Sequence, residues 1–457
     1  MRVVLLDPPL GNRTIARDMA GGLGFGVGSS TILPPLNLAV LASVLRANGH
    51  TVAILDPQVE SLSREAFVEK IVLLDPEIIV GNVSLPTLRN DASFLKELRK
   101  TTGVKIVAKT EISFTPILEE ILTSSEAELC IFGECEESLE LILKGLSTSG
   151  VCLRENGEFK HSTPAPVADL DTIPFAARDL LRNDRYLFPL LGEKTTTIQT
   201  SRGCPFSCAY YCPYPLIQGQ KWRAMSAQRV YEELRDAIVG CGISNVLFRD
   251  ACFTLDKERA AQICELIVRN NLTLNWWCET RINCLDRELL LLMKQAGCRG
   301  MSIGVETGDP EVLDLQAKPG VSLKDLESLT SLAGSLGLSL HFLLLVGLPR
   351  EDKKSLYRTF RLIKNLRPAS LGVSLVTPYP GTPLYWEAVR KGWLLTTDWE
   401  KYSGDLPVMR TDKLSRRSLA LGQKMLLGCS WFSRRKSLSA SLGLTVLDGL
   451  CGMWSYL

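Results

Sequence analysis

Three cysteines, Cys204, Cys208 and Cys212, fall within nine positions of the stretch TSRGCPFSCAYYCPYP, residues 200–215. Glycine and proline break this stretch, so the thiols are presented from a loop rather than from a periodic element. Cysteines taken singly are most often core filler. Structural zinc takes four protein ligands, and the three histidines of the chain, His50, His161 and His341, are remote from the loop in sequence. Three thiolates with an open fourth corner suit an iron–sulfur cluster that leaves one iron free to bind a further molecule. The loop follows a strand pattern, and that context favours the cluster over filler or zinc.

The elements that must hold such a loop can be read on either side of it. A strand, TTTIQTS (195–201), leads into the cysteines. Further strand patterns follow at SNVLFRD (244–250), LNWWCET (274–280), GMSIGVET (300–307), SLHFLLLVG (339–347) and SLGVSLVTPYP (370–380), with helical segments between them. Repeated βα units predict a partial or full TIM barrel over 195–400, with chemistry at the C-terminal strand ends. Asp250, Glu279, Glu306 and Gly347 occupy such ends.

Upstream, strand patterns at RVVLL (2–6), TVAILD (51–56), EIIVGNVS (77–84), VKIVA (104–108) and AELCIFG (127–133) alternate with helical ones such as LNLAVLASVLRANGH (36–50). This alternation predicts a parallel sheet covered by helices over 1–148, with ligands beyond the carboxyl ends of its strands. The glycine-rich GGLGFGVG (21–28) fits a dinucleotide fingerprint poorly and reads as a loop over that ligand face. Residues 149–194, with Pro164, Pro166 and Pro174 and no sustained pattern, read as a linker. Residues 401–457 read as a helical, basic C-terminal cap.

At 457 residues the chain calls for two or three domains, and its formal charge of +2 sets up no overall field toward nucleic acid. Charge is uneven: residues 401–457 carry nine Lys/Arg against three acids. The fourteen cysteines show no framework spacing outside 204–212, which predicts free thiols in a reducing cytoplasm. MRVVLLDPP reads as a strand rather than a signal peptide, and no apolar run is long enough to span a membrane. The apolar segment 438–457 is interrupted by Asp448. Packing on the barrel is the plainer reading of the tail; peripheral membrane contact is the other.

The cysteine loop resembles that of the radical S-adenosylmethionine (SAM) superfamily, in which three cysteines hold a 4Fe–4S cluster and SAM chelates the fourth iron. CPYPLIQGQKWRAMS, FRDACFTLD, WWCETR, MKQAGCRGMSIGVETGDPEVL and PYPGTPLY resemble, in order, the subgroup with an N-terminal cobalamin-binding domain. The resemblance implies Cys204, Cys208 and Cys212 as cluster ligands, and Glu306, Glu279, Asp250 and Arg281 as SAM contacts. It also implies an external electron donor such as flavodoxin or ferredoxin. One departure lies in the loop: the family places two residues between its last two cysteines, whereas Ala209, Tyr210 and Tyr211 stand here. Tyr211 keeps the family's aromatic position, and the extra tyrosine reads as a one-residue bulge of a surface loop.

LLDPPL, VGNVSLPT and CIFGECEESLELIL resemble the cobalamin-binding domain and imply a Rossmann-like fold. The cofactor contacts it implies are Ser84, Leu85, Thr87, Lys109, Glu111, Gly133 and Glu134. No Asp-x-His-x-x-Gly motif is present, so no histidine ligand to cobalt is expected. Where relatives carry Gly-Gly-Pro-His this chain has Ala108, Lys109, Thr110 and Glu111, a bulkier loop. The implied activity is methylation of an unactivated carbon, or of phosphorus, in a small-molecule or lipid-like substrate. In relatives a SAM-derived radical activates the substrate and methylcobalamin supplies the methyl group, and no side chain is singled out as a general base. Two other readings stay open: a radical SAM cyclase or oxidoreductase without methyl transfer, and a non-catalytic cobalamin-sensing or scaffold protein.

Overall fold

The computed structural model describes residues 1–11, 13–26, 31–60, 62–145, 149–314 and 321–433. The chain forms two compact units, one of residues 1–204 and 213–249, the other of residues 205–212 and 250–457.

The first unit begins with β1 (Arg2–Leu6), α1 (Leu36–Ala47), β2 (Thr51–Leu55), α2 (Arg64–Leu73) and β3 (Ile78–Asn82). It continues with α3 (Leu88–Thr102), β4 (Lys105–Thr110), α4 (Thr115–Ser125), β5 (Leu129–Phe132) and α5 (Glu136–Leu143). The strands stand in the order β2-β1-β3-β4-β5, all parallel, with Leu5 flanked by Ile54 and Val80. Val3, Val4, Leu5 and Leu6 are buried in succession, as expected of a strand covered on both faces. Leu38, Leu41 and Leu45 of α1 pack on Leu5, Val80 and Ile131, each worth about 2 kcal/mol of apolar burial. In this order the chain reverses direction of winding at β1 and β3, which opens a crevice at their carboxyl ends.

Two more strands, β6 (Val151–Glu155) and β7 (Glu158–His161), extend this sheet as an antiparallel hairpin beside β5. They lie in the stretch expected to be a linker. The turn between them, Asn156-Gly157, has positive φ at both residues, as a two-residue hairpin turn requires. The unit is completed by β8 (Thr195–Ile198), α6 (Ala227–Arg235) and β9 (Asn245–Phe248), with β8 and β9 parallel and Thr197 opposite Leu247.

The second unit runs α7 (Lys257–Arg269), β10 (Asn275–Thr280), α8 (Arg287–Gln295), β11 (Cys298–Glu306), α9 (Leu323–Ser335), β12 (Ser339–Val346), α10 (Lys353–Leu366) and β13 (Ser370–Leu375). Strands β10 to β13 are parallel and pair in chain order, and among the described residues β13 pairs with β12 alone, so the row stays open at that end. Asp256 and Asp286 cap α7 and α8 by accepting from Arg259 N and Leu289 N, both at 2.9 Å. Trp276 and Trp277 point to opposite faces of β10 and both are buried, their indole N–H groups donating to Ala296 O (2.8 Å) and Ser302 Oγ (3.0 Å). Then come α11 (Pro383–Arg390) and α12 (Arg416–Ser433), the latter packed on β13 and α10. Most of the apolar tail anticipated for membrane contact lies at 434–457, outside the described residues.

Candidate functional site

Two of the three cysteines are set by one turn. Residues Ser207–Tyr210 form a short 3-10 helix, and the Cys212 amide donates to Cys208 O at 2.9 Å. The extra residue makes Cys208 and Cys212 an i,i+4 pair, closed by this hydrogen bond. Arg281, just beyond β10, stacks its guanidinium 3.8 Å from the centre of the Phe206 ring and holds Nη1 4.0 Å from Cys208 Sγ. Tyr211 is pressed into the same spot: burial raises its phenol pKa well above the usual value, with Glu306, Cys208 and Cys212 adding to the shift. Tyr379, in the PYPGTP segment, is raised too, by burial and then by Cys212. Cys204 is buried in the first unit, its amide donating to Gly219 O at 3.1 Å.

Glu306 ends β11 at a register shift against β12 and takes φ +62, a left-handed conformation uncommon for a residue with a side chain. It stands by Tyr211 and the thiols. Glu279 and Asp250 lie near Cys278 in the interior, whose thiol is pushed up first by burial and further by its neighbours Cys298, Asp250, Cys264 and Glu279. Of the four expected SAM contacts, Glu306 and Arg281 thus gather at the cysteine turn. Among the described residues no three His, Cys, Asp or Glu side chains converge on a single ion. A cluster makes a different demand, since each of its thiolates binds a separate iron.

In the first unit a cavity of about 80 Å³ opens at the strand ends. Lys109, Glu111, Gly133 and Glu134 line it, together with Asp18, Gly21, Gly22 and Cys135. Lys109 is buried against Glu111, their charged groups in contact. Burial is the largest effect and opposes the ammonium charge, yet Glu111, Cys135 and Asp18 together outweigh it and the lysine pKa rises. Asp18 accepts from Leu36 N at 2.7 Å, and burial pushes its carboxyl up to about 6. Glu134 is gripped by Arg202 and Arg223, and Arg202 also reaches Glu136 at 2.5 Å. Gly22 sits so close to Glu111 that a Cβ there would lie 2.2 Å from Glu111 Cγ. The glycine-rich loop does reach the ligand face through Gly21 and Gly22, while residues 27–28 lie outside the described residues.

Ser84, Leu85 and Thr87 are placed elsewhere. Ser84 and Thr87 are tied into a buried network: Arg17 donates to Ser84 Oγ (2.7 Å) and pairs with Asp91 (2.5 and 3.0 Å), and Thr87 donates to Asp91 at 2.5 Å. Leu85 is buried with its amide on Leu23 O at 2.9 Å. Their polar groups brace the loop after β3 and none lines the cavity. Arg17 and Arg202 escaped the sequence reading. Arg202 stands two residues before Cys204, where only its charge in an otherwise neutral TSRGC could have drawn notice.

Residues 198–363 match the radical SAM superfamily. An uncharacterized methyltransferase of Pyrococcus horikoshii is 30% identical over 424 residues, 90% of this chain and 88% of that one. The chain belongs to the radical SAM superfamily. Other superfamily relatives include the anaerobic magnesium-protoporphyrin IX monomethyl ester cyclase of Cereibacter sphaeroides, 24% identical over 92% of this chain and 74% of that one. The hopanoid C-3 methylase of Methylococcus capsulatus is 29% identical over 83% of this chain and 73% of its own. Among solved radical SAM structures, the cobalamin-dependent enzyme OxsB matches with TM-score 0.73 at 15% identity, covering 100% of this chain and 72% of that one. The methyltransferase TsrM of Kitasatospora setae, solved with tryptophan and a SAM analogue, matches with TM-score 0.67 at 20% identity over 85% and 76%. The open row of parallel strands is the superfamily's half-barrel, so of the two expected forms the partial barrel is the one found.

Proposed function

We propose that the protein is a cobalamin-dependent radical SAM methyltransferase acting on an unactivated carbon, or on phosphorus, of a small-molecule or lipid-like substrate. The observation that carries this reading is the presence, in one chain, of a turn that carries Cys208 and Cys212, four residues after Cys204, and of a 2-1-3-4-5 α/β unit with a cavity at its strand ends. Cys204, Cys208 and Cys212 would hold the 4Fe–4S cluster, a donor set of three thiols and no histidine that suits iron–sulfur ligation. Together the cluster, SAM and cobalamin supply one-electron cleavage and a transferable methyl group. Arg281, with its charge beside Cys208, and Glu306 would orient the charged end of SAM. The cavity residues fit a flat ligand fringed with amides. Leu36, Val40 and Leu41 give an apolar wall, and Asn37, Gln199 and Gln218 offer amide partners. Tyr379, which is buried, and Tyr211, which is partly buried, would keep water from the thiols.

The test is anaerobic reconstitution with iron, sulfide, SAM, hydroxocobalamin and a low-potential donor, followed by labelled-methyl transfer to cell extract. Production of 5′-deoxyadenosine together with a product heavier by one methylene is expected; 5′-deoxyadenosine without label transfer sinks the methyltransferase reading. A second reading, a radical cyclase or oxidoreductase, draws on the likeness to the protoporphyrin ester cyclase. Its product would carry no added carbon.

A further inference from the structure

The turn that carries Cys208 and Cys212 is held from outside itself. Tyr210 packs with Tyr211 against the cluster of Leu313, Leu348, Leu384 and Trp393. Its hydroxyl donates to the Glu387 carboxylate on α11, the helix that packs on this turn. Glu387 is itself fixed by Lys391 one helical turn on, at 2.7 Å. The start of α11 is fixed as well: Pro383 opens it, and Thr382 accepts from Tyr385 N at 3.3 Å while donating to Tyr379 O at 2.7 Å. The segment running from Tyr379 to Glu387 therefore meets the turn twice, at Cys212 through Tyr379 and at Tyr210 through Glu387.

We infer that Tyr210, through its hydrogen bond to Glu387, is a positioning residue that sets the presentation of Cys208 and Cys212. The inference rests on the reading of these cysteines as cluster ligands, and it gives the extra residue of the loop a task. A shorter loop has fewer backbone torsions to fix. A loop longer by one residue must lose that added freedom, and a side-chain anchor on a rigid helix removes it. The expected bulge of a surface loop is thus an anchored helical turn.

The test is the alkylation rate of each cysteine in the full-length iron-free protein, read by mass spectrometry, for Tyr210→Phe, Glu387→Ala, Glu387→Gln and the Tyr210→Phe/Glu387→Ala double variant. Tyr210→Phe and Glu387→Ala should each speed Cys208 and Cys212 about fivefold, the worth of one net hydrogen bond, and leave Cys264 and Cys298 unchanged. Glu387→Gln keeps an acceptor oxygen and should stay near the parent. The double variant should react no faster than either single one, because both remove the same bond. Rates that multiply in the double variant, that change by less than about twofold, or that rise equally at Cys264 and Cys298 overturn the inference. Reconstitution separates the two levels. Parent protein that holds no iron sinks the cluster reading, whereas parent protein with iron and variants whose reduced-cluster electron paramagnetic resonance and iron retention match it sink the anchor.

Discussion

At the scale of single residues, the thiols and one buried acid give the sharpest tests. Cys204→Ala, Cys208→Ala or Cys212→Ala should each remove the expected content of about four irons per chain, measured by iron assay and visible absorption after anaerobic reconstitution. Iron retained at the parent level in Cys212→Ala would unseat that ligand. Glu351 titrates out of its usual range for a reason visible in its surroundings. It is fully buried, accepts from Gly347 N at 2.6 Å through Oε2 and has no hydrogen-bond partner at Oε1 among the described residues, and burial pushes it up to about 8. Between about pH 4.5 and 8 the folded carboxyl therefore keeps a proton that the unfolded chain releases, so stability falls as pH rises through that window. Glu351→Gln should flatten this slope and leave the variant ahead of the parent by about 3.5 kcal/mol at pH 8 relative to pH 5, measured by denaturant unfolding. Equal slopes in the two proteins would show that Glu351 ionises normally. That Cys208 and Cys212 share one turn was legible from their spacing, since only three residues separate them in a broken loop. The placement of Ser84 and Thr87 was not, because hydroxyls near a strand end look the same in sequence whether they face a ligand or, as here, a buried arginine.

Elements explain which parts of the fold could be read in advance. Apolar runs announced strands: RVVLL, TVAIL and SLHFLLLV all became strands, the first buried from Val3 to Leu6 and the other two mixing buried with partly buried positions. The hairpin of β6 and β7 hid because it lies at the sheet margin with half its residues exposed, so CLRENGEFKH reads as polar coil. Its Asn156-Gly157 turn was the signal available. Tight strand packing makes a further expectation concrete. A Cβ on Gly300 in β11 would fall 2.2 Å from Ser339 O and 2.4 Å from the Trp277 ring, and neither neighbour is a flexible side-chain tip. Gly300→Ala should therefore cost at least about 3 kcal/mol, or prevent folding, because the backbone of β12 or the indole must move. A loss under about 1 kcal/mol in a chemical denaturation curve would mean that the sheet gives way there at little cost.

At the scale of the molecule, one chain carries two α/β units: the first has a charged cavity at its strand ends, and the second includes the turn of Cys208 and Cys212. Family likeness over nine-tenths of the length follows from both units, not from the cysteine loop alone. No helix among the described residues is long and apolar enough to cross a membrane. The self-paired charges of the cavity have a consequence for ionic strength. Lys109 is answered by Glu111 and Arg202 by Glu134 and Glu136, so neither cation is left to attract an anion, and salt has little long-range attraction to screen. A ligand held there by apolar contact and amide bonds should stay bound as salt rises. Hydroxocobalamin retention, measured by equilibrium dialysis, should change by less than about twofold between roughly 0.05 and 0.5 M potassium chloride. A tenfold loss over that range would mark the cavity as an anion site, and a lasting indifference to salt would mark it as one built to hold a large neutral molecule by shape.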